Sequence, residues 1–134
     1  MNKNIFTKII LLLLVFTTAC SQENEALNSA LEAGKNKLDK KEFDAAVAEY
    51  EKIVKAFPKE AKAHFELGNA QTQSLKFGAA IESYSEAIKI NKDYAEAYTG
   101  RGILLLSVEK YKEALSDFDK AVELNDGEVS NYNN

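Results

Sequence analysis

The stretch "AKAHFELGNAQTQSLKFGAAIESYSEAIKI", residues 61–90, decides how this chain folds. Its first half sets His64, Phe65, Leu67, Gly68 and Gln71 at helical intervals. Its second half carries Ala80, Ile81, Tyr84, Ala87 and Ile88 at i, i+1, i+4, i+7 and i+8, an apolar stripe on one helix face. Only "LKF" intervenes, which suits a tight turn between antiparallel helices. The segment therefore predicts a helix–turn–helix.

The same segment recurs on both sides. Glycines stand at Gly34, Gly68 and Gly102, a spacing of 34 twice over. That interval also links Ala46, Ala80 and Ala114, then Phe43, Phe77 and Tyr111, then Tyr50, Tyr84 and Phe118. Four columns sharing one period mark an internal repeat. Pro58 cannot continue the second helix of the first unit. Asn91 and Asn125, with Gly127 beyond, fall at the matching ends of the later units. The small columns allow close helix crossings, and the aromatic columns fill the space beside them.

These columns resemble the tetratricopeptide repeat, a 34-residue helix–turn–helix. The middle unit matches with His64, Leu67, Gly68, Phe77, Ala80, Tyr84 and Ala87, and the third with Tyr98, Gly102, Tyr111, Ala114, Phe118 and Ala121. Arg101-Gly102 is a pair that many family members carry. The first unit departs at Ala30, Ala33 and Ile53 but keeps Gly34, Phe43, Ala46, Tyr50 and Pro58. The resemblance implies an all-α fold, an α-solenoid of three such units wound into a short right-handed superhelix. The units are residues 27–60, 61–94 and 95–128, followed by a polar tail over 129–134.

Family likeness assigns the second, fifth, ninth and twelfth positions of each unit to the lining of a concave face. They are Asn28, Leu31, Lys35 and Leu38, then Lys62, Phe65, Asn69 and Thr72, then Glu96, Thr99, Ile103 and Leu106. Leu31, Leu38, Phe65, Ile103 and Leu106 form an apolar strip suited to an extended or helical peptide. Some relatives grip a C-terminal carboxylate there with lysine, asparagine and arginine. Asn69 and Lys62 alone correspond, so recognition of that kind is not expected. Polar residues after Asn125 leave Leu115, Phe118 and Val122 without a covering helix, which points to a partner or to a homodimer through the last helix.

Residues 1–19 have the layout of an export signal. Lys3 and Lys8 supply positive charge, Ile9 to Phe16 an unbroken apolar run, and Thr17, Thr18 and Ala19 small residues. The run is shorter than the ~20 residues of a spanning helix. The small residues end on Cys20, the only cysteine, in an arrangement similar to a bacterial lipobox with Thr17 where leucine is commonest. That likeness implies cleavage after residue 19, lipidation of Cys20 and anchoring by its acyl chains. Ordinary cleavage after Ala19 is the alternative. Residues 20–26 then form a linker, and Ser21 in place of aspartate favours the outer membrane of a Gram-negative envelope.

Composition narrows the function classes. Once Lys3 and Lys8 leave with the signal, 15 basic side chains face 21 acidic ones, a net charge of −6 against −4 for the whole chain. Phosphate backbones and anionic lipid surfaces repel such a module, so nucleic acid is not an expected partner. A lone cysteine forms no internal disulfide and no multi-thiolate zinc site. His64, the only imidazole, occupies a packing column. The carboxylates lie among lysines, and the glycines are too far apart for a phosphate loop. The sequence thus predicts no enzyme, cofactor or metal site, but a lipid-anchored protein-interaction module.

Overall fold

A computed structural model describes the backbone of residues 3–132, with the side chains of 21–126 and of Ile5, Lys8 and Ile9. Among the described residues there are six helices and no strand. They are α1 (Lys3–Asp39), α2 (Phe43–Ala56), α3 (Ala61–Gln73), α4 (Phe77–Ile90), α5 (Ala95–Ser107) and α6 (Tyr111–Tyr132). Consecutive helices pack on each other, and α1 also reaches α3, while α2 and α4 share no comparable contact. The contact between α1 and α3 puts first helices on the inner side of the stack. The architecture is an α-solenoid.

Local chemistry sets the breaks. α2 stops at Ala56 because the residue before Pro58 is driven out of the helical region; the Phe57 N–H still reaches the Ile53 carbonyl at 2.8 Å. α4 ends at Asn91, whose N–H bonds the Ala87 carbonyl. The turn inside each unit is a Schellman motif. In the middle unit Leu75 N–H meets the Thr72 carbonyl at 3.1 Å and Lys76 N–H meets the Gln71 carbonyl at 2.8 Å. That motif needs a left-handed residue, and here it is Lys41, Leu75 or Glu109, with φ of 59°, 60° and 62°. These three are a further column at the 34-residue interval, and none is glycine.

Glycine is required elsewhere. A Cβ on Gly34 would lie 2.6 Å from the Tyr50 ring, one on Gly68 2.7 Å from Tyr84, and one on Gly102 2.9 Å from Phe118. The aromatic of each second helix thus lies flat against the glycine of the first. Gly100 adds a contact between units, since its Cβ would come 2.9 Å from the other side of Tyr84. Around these stacks the core falls into three clusters, two of them bridged by Phe65. Leu27, Leu31, Val47, Tyr50, Ile53 and Leu67 join α1, α2 and α3. Ala80, Tyr84 and Leu104, then Ala87, Ile88 and Ala97, join α4 to α5.

The structure departs from the sequence reading in two places. α6 runs through Asn125 to Tyr132, a stretch with no proline to stop it. Residues 21–26, read as a linker, continue α1. "SQENEALNSALEA" holds good helix formers with no glycine or proline.

Candidate functional site: the inner face of the solenoid

The middle unit supplies the best-defined part of the inner face. Phe65 on α3 stacks on Tyr94 with ring centroids 4.9 Å apart and on Tyr84 at 5.8 Å. The Tyr84 hydroxyl donates to Asn69 Oδ1 at 2.8 Å, and Asn69 Nδ2 donates to Glu66 Oε2 at 3.2 Å. Thr72 Oγ1 donates to the Gly68 carbonyl at 2.8 Å and lies 3.4 Å from the Tyr84 hydroxyl. Phe65, Asn69 and Thr72 are thus assembled around one tyrosine. Their rotamers are held, so a ligand would find them ordered. Asn69 keeps a second amide N–H to donate.

Three tyrosines feel both burial and carboxylates. Burial pushes the Tyr94 hydroxyl up to about 12, with Glu66 and then Glu96 adding to it. Tyr50 is also pushed up to about 12, by burial first and then by Glu66, Glu32 and Asp39. Burial likewise raises Tyr84, partly opposed by its hydrogen bond with Thr72. These hydroxyls stay neutral and act as hydrogen-bond groups.

The other expected lining residues divide. Ile103 and Leu106 stand open at 56% and 44% exposure, side by side on α5. Lys35, Lys62, Asn28 and Glu96 are exposed, and Thr99 is half-buried with its hydroxyl on the Ala95 carbonyl. Leu31 does not line the face. At 6% exposure it belongs to the first core, where its carbonyl accepts from the Tyr50 hydroxyl at 3.4 Å. Leu38 is half-buried against the same core. The open apolar surface of the lining is therefore carried by α5, with Phe65 of α3 half-buried.

Tyr94 and the Tyr84 hydroxyl were not among the expected residues. Tyr94 belongs to the connection into α5, outside the helical columns, although it immediately precedes a helix start. His64 sits half-buried as expected, its Nε2 3.0 Å from the Pro58 carbonyl. The Cys20 side chain lies outside the described residues. Among the described residues no helix is long and apolar enough to cross a membrane.

Arg101 points away from the lining. Its Nε and Nη2 donate to the two Asp117 oxygens at 2.8 and 2.7 Å, and its Nη1 to Ser85 Oγ at 3.0 Å. The Asp117 hydrogen bond raises the guanidinium pKa further, against the opposing effect of burial. This fork ties α4, α5 and α6 together beside an outer cleft of about 450 Å³. No arginine of this chain is thus available at the lining for a carboxylate clamp, since Arg101 is its only one.

Comparison with known proteins agrees with this geometry. Family profiles described as tetratricopeptide repeat match residues 31–90 and 95–127, and one described as TPR repeat matches 76–108. Residues 31–127 are tetratricopeptide repeats, and the chain is a protein of that class. Among solved structures, MamA from Desulfovibrio magneticus RS-1 is similar at 23% identity over 73% of this chain and 55% of its own, TM-score 0.69. The TPR2B domain of yeast Sti1, in its pHsp70 complex, is 27% identical over 78% of this chain and 83% of its own, TM-score 0.72. The first TPR of Spaghetti (RPAP3), bound to the HSP90 peptide SRMEEVD, is 26% identical over 73% and 78%, TM-score 0.71. The chain spans just over half the length of the MamA chains that it matches. No curated protein matches the sequence.

Proposed function

We propose that this chain is a membrane-anchored interaction module of a bacterial cell envelope, which holds a peptide or a peptide-like segment of a protein on its inner face. One observation carries the reading. Ile103 and Leu106 are left open on α5, flanking the Leu104 that packs in one core cluster with Tyr84 and Phe65, although the fold does not need them for its core. Two structural neighbours are complexes with pHsp70 or an HSP90 peptide, which supports a peptide ligand here as well. The ligand differs in kind from an acidic chaperone tail. Phe65 replaces the clamp lysine and Arg101 is engaged by Asp117, so apolar side chains provide the grip. Selection of peptides by display on the full chain, followed by titration, tests this. Ile103→Asp should weaken a selected peptide at least tenfold, about 1.4 kcal/mol, with the helical spectrum unchanged. Equal binding by that variant would reject the inner face.

The anchor in this reading is acylated Cys20, and the outer membrane is its location. Because residues 21–26 are helical, the repeats begin ~10 Å along the axis from Cys20, at 1.5 Å per residue. The array is thereby held close to the bilayer. Labelled palmitate should enter the wild-type chain and be lost in Cys20→Ala; a wild type that takes up no label contradicts the anchor.

A second reading is self-association through α6. It is favoured by Leu115 and Val122, which are 61% and 58% exposed on the last helix.

A further inference from the structure

The repeat shows what should cover the open face of α6. Leu115 is equivalent to Val47 and Ile81, and Val122 to Val54 and Ile88, at intervals of 34. Val47 is 4% exposed, packed with Ala63, Leu67 and Ala70 of α3. Ile88 is 8% exposed, packed with Ala97 of α5. The second helices α2 and α4 are thus closed by the first helix of the next unit, whereas among the described residues α6 packs on α5 and leaves Leu115 and Val122 open.

The opposite end has the complementary vacancy. Ser29, Ala33 and Asn36 of α1 are equivalent to Ala63, Leu67 and Ala70 of α3 and to Ala97, Arg101 and Leu104 of α5. In α3 and α5 this face meets the preceding unit, whereas in α1 all three residues are exposed. They are small enough to accept Leu115 and Val122 as Ala63 and Ala97 accept Val47 and Ile88.

Charge selects the same pairing. Between the first two units Asp44 accepts from Lys76 Nζ at 2.8 Å. The equivalents across an end-to-end junction are Lys112 on α6 and Glu42 before α2, again opposite in sign but reversed in order. Within the chain neither has an ion-pair partner among the described residues.

We infer that the open face of α6 is a docking surface for a second copy of this chain, which covers it with the Ser29–Ala33–Asn36 face of its own α1. The inference rests on the self-association reading and adds a direction to it. Such an interface is head-to-tail, so one contact leaves both ends free and copies add in rows. Continuity with the junctions already inside the chain fixes its geometry.

Light scattering on the full chain in a mild detergent tests the direction. The wild type should grow in mass with concentration without stopping at two copies. Ala33→Arg, which blocks the α1 face, and Leu115→Glu, which blocks the α6 face, should each be monomeric alone. Mixed one to one they should form a dimer and nothing larger, because one unblocked face of each remains. Lys112→Glu should weaken the wild-type association roughly fivefold, and adding Glu42→Lys to that chain should restore it. If Ala33→Arg dimerises alone while Leu115→Glu does not, the pairing is symmetric and the head-to-tail inference fails, although self-association stands. A wild type that stays monomeric at every concentration overturns both.

Discussion

Gly68 and Tyr84 are in direct contact: a Cβ at the glycine would sit 2.7 Å from Cε1 of the ring. The same pairing of Gly34 with Tyr50 and of Gly102 with Phe118 sets the spacing of all three units. It also places the Tyr84 hydroxyl at the inner face, where it holds Asn69.

Glycines within this chain should therefore respond to alanine with opposite signs. Gly68→Ala drives a methyl into a ring confined on its far side by Gly100, and should cost about 1–3 kcal/mol by overpacking. Gly78, also helical, has nothing within 4 Å of its would-be Cβ, so Gly78→Ala should gain about 0.5 kcal/mol from helix propensity. Urea melts of both variants check this. A gain in stability from Gly68→Ala would contradict the stacking.

Leu75 occupies a left-handed position at φ 60° while its side chain is 75% exposed. Relief of its Cβ crowding outweighs the extra unfolded-state freedom of glycine, and little packing is lost. Leu75→Gly should stabilise the chain by about 0.5–1 kcal/mol, read as a higher melting temperature.

Asp117 is buried and held by a two-bond fork from Arg101. Arg101→Ala strands that carboxylate and should cost about 3 kcal/mol. Arg101→Ala with Asp117→Ala should cost much less than the sum of the two single changes. Additive losses in a double-mutant cycle would show that the pair is not coupled.

Alkaline pH should unfold the chain through its tyrosines. Tyr50 titrates from an ordinary value of 10.0 but is pushed up to about 12 in the folded state. Between these values the unfolded chain has lost a proton that the folded chain retains, so stability falls as pH rises. Below pH 10 the contribution is complete. Tyr50→Phe should flatten the decline of the urea midpoint between pH 10 and 12, leaving the part that Tyr84 and Tyr94 contribute.

The fold was legible because its determinants are periodic. Gly34, Gly68 and Gly102 repeat with their aromatic partners, and one middle unit contained the whole helix–turn–helix pattern. Two kinds of feature escaped that reading. The column of Lys41, Leu75 and Glu109 shares the period but not a residue type, so a backbone requirement met by three dissimilar residues leaves no compositional mark. The lining positions were transferred by column, and columns do not say which way a neighbour leans. Leu31 turns into the first core, and Tyr94 joins the face from a connection rather than from a helix. Gly100 showed nothing in sequence, since its partner Tyr84 lies in the preceding unit.

The inner face is most directly tested in the cell by a photo-crosslinking amino acid at Ile103, compared with the same group at Glu82 on α4. Irradiated envelopes should give a discrete crosslinked product from Ile103 and none from Glu82. Crosslinks from Glu82 alone, or the same products from both, would contradict a ligand held on the inner face.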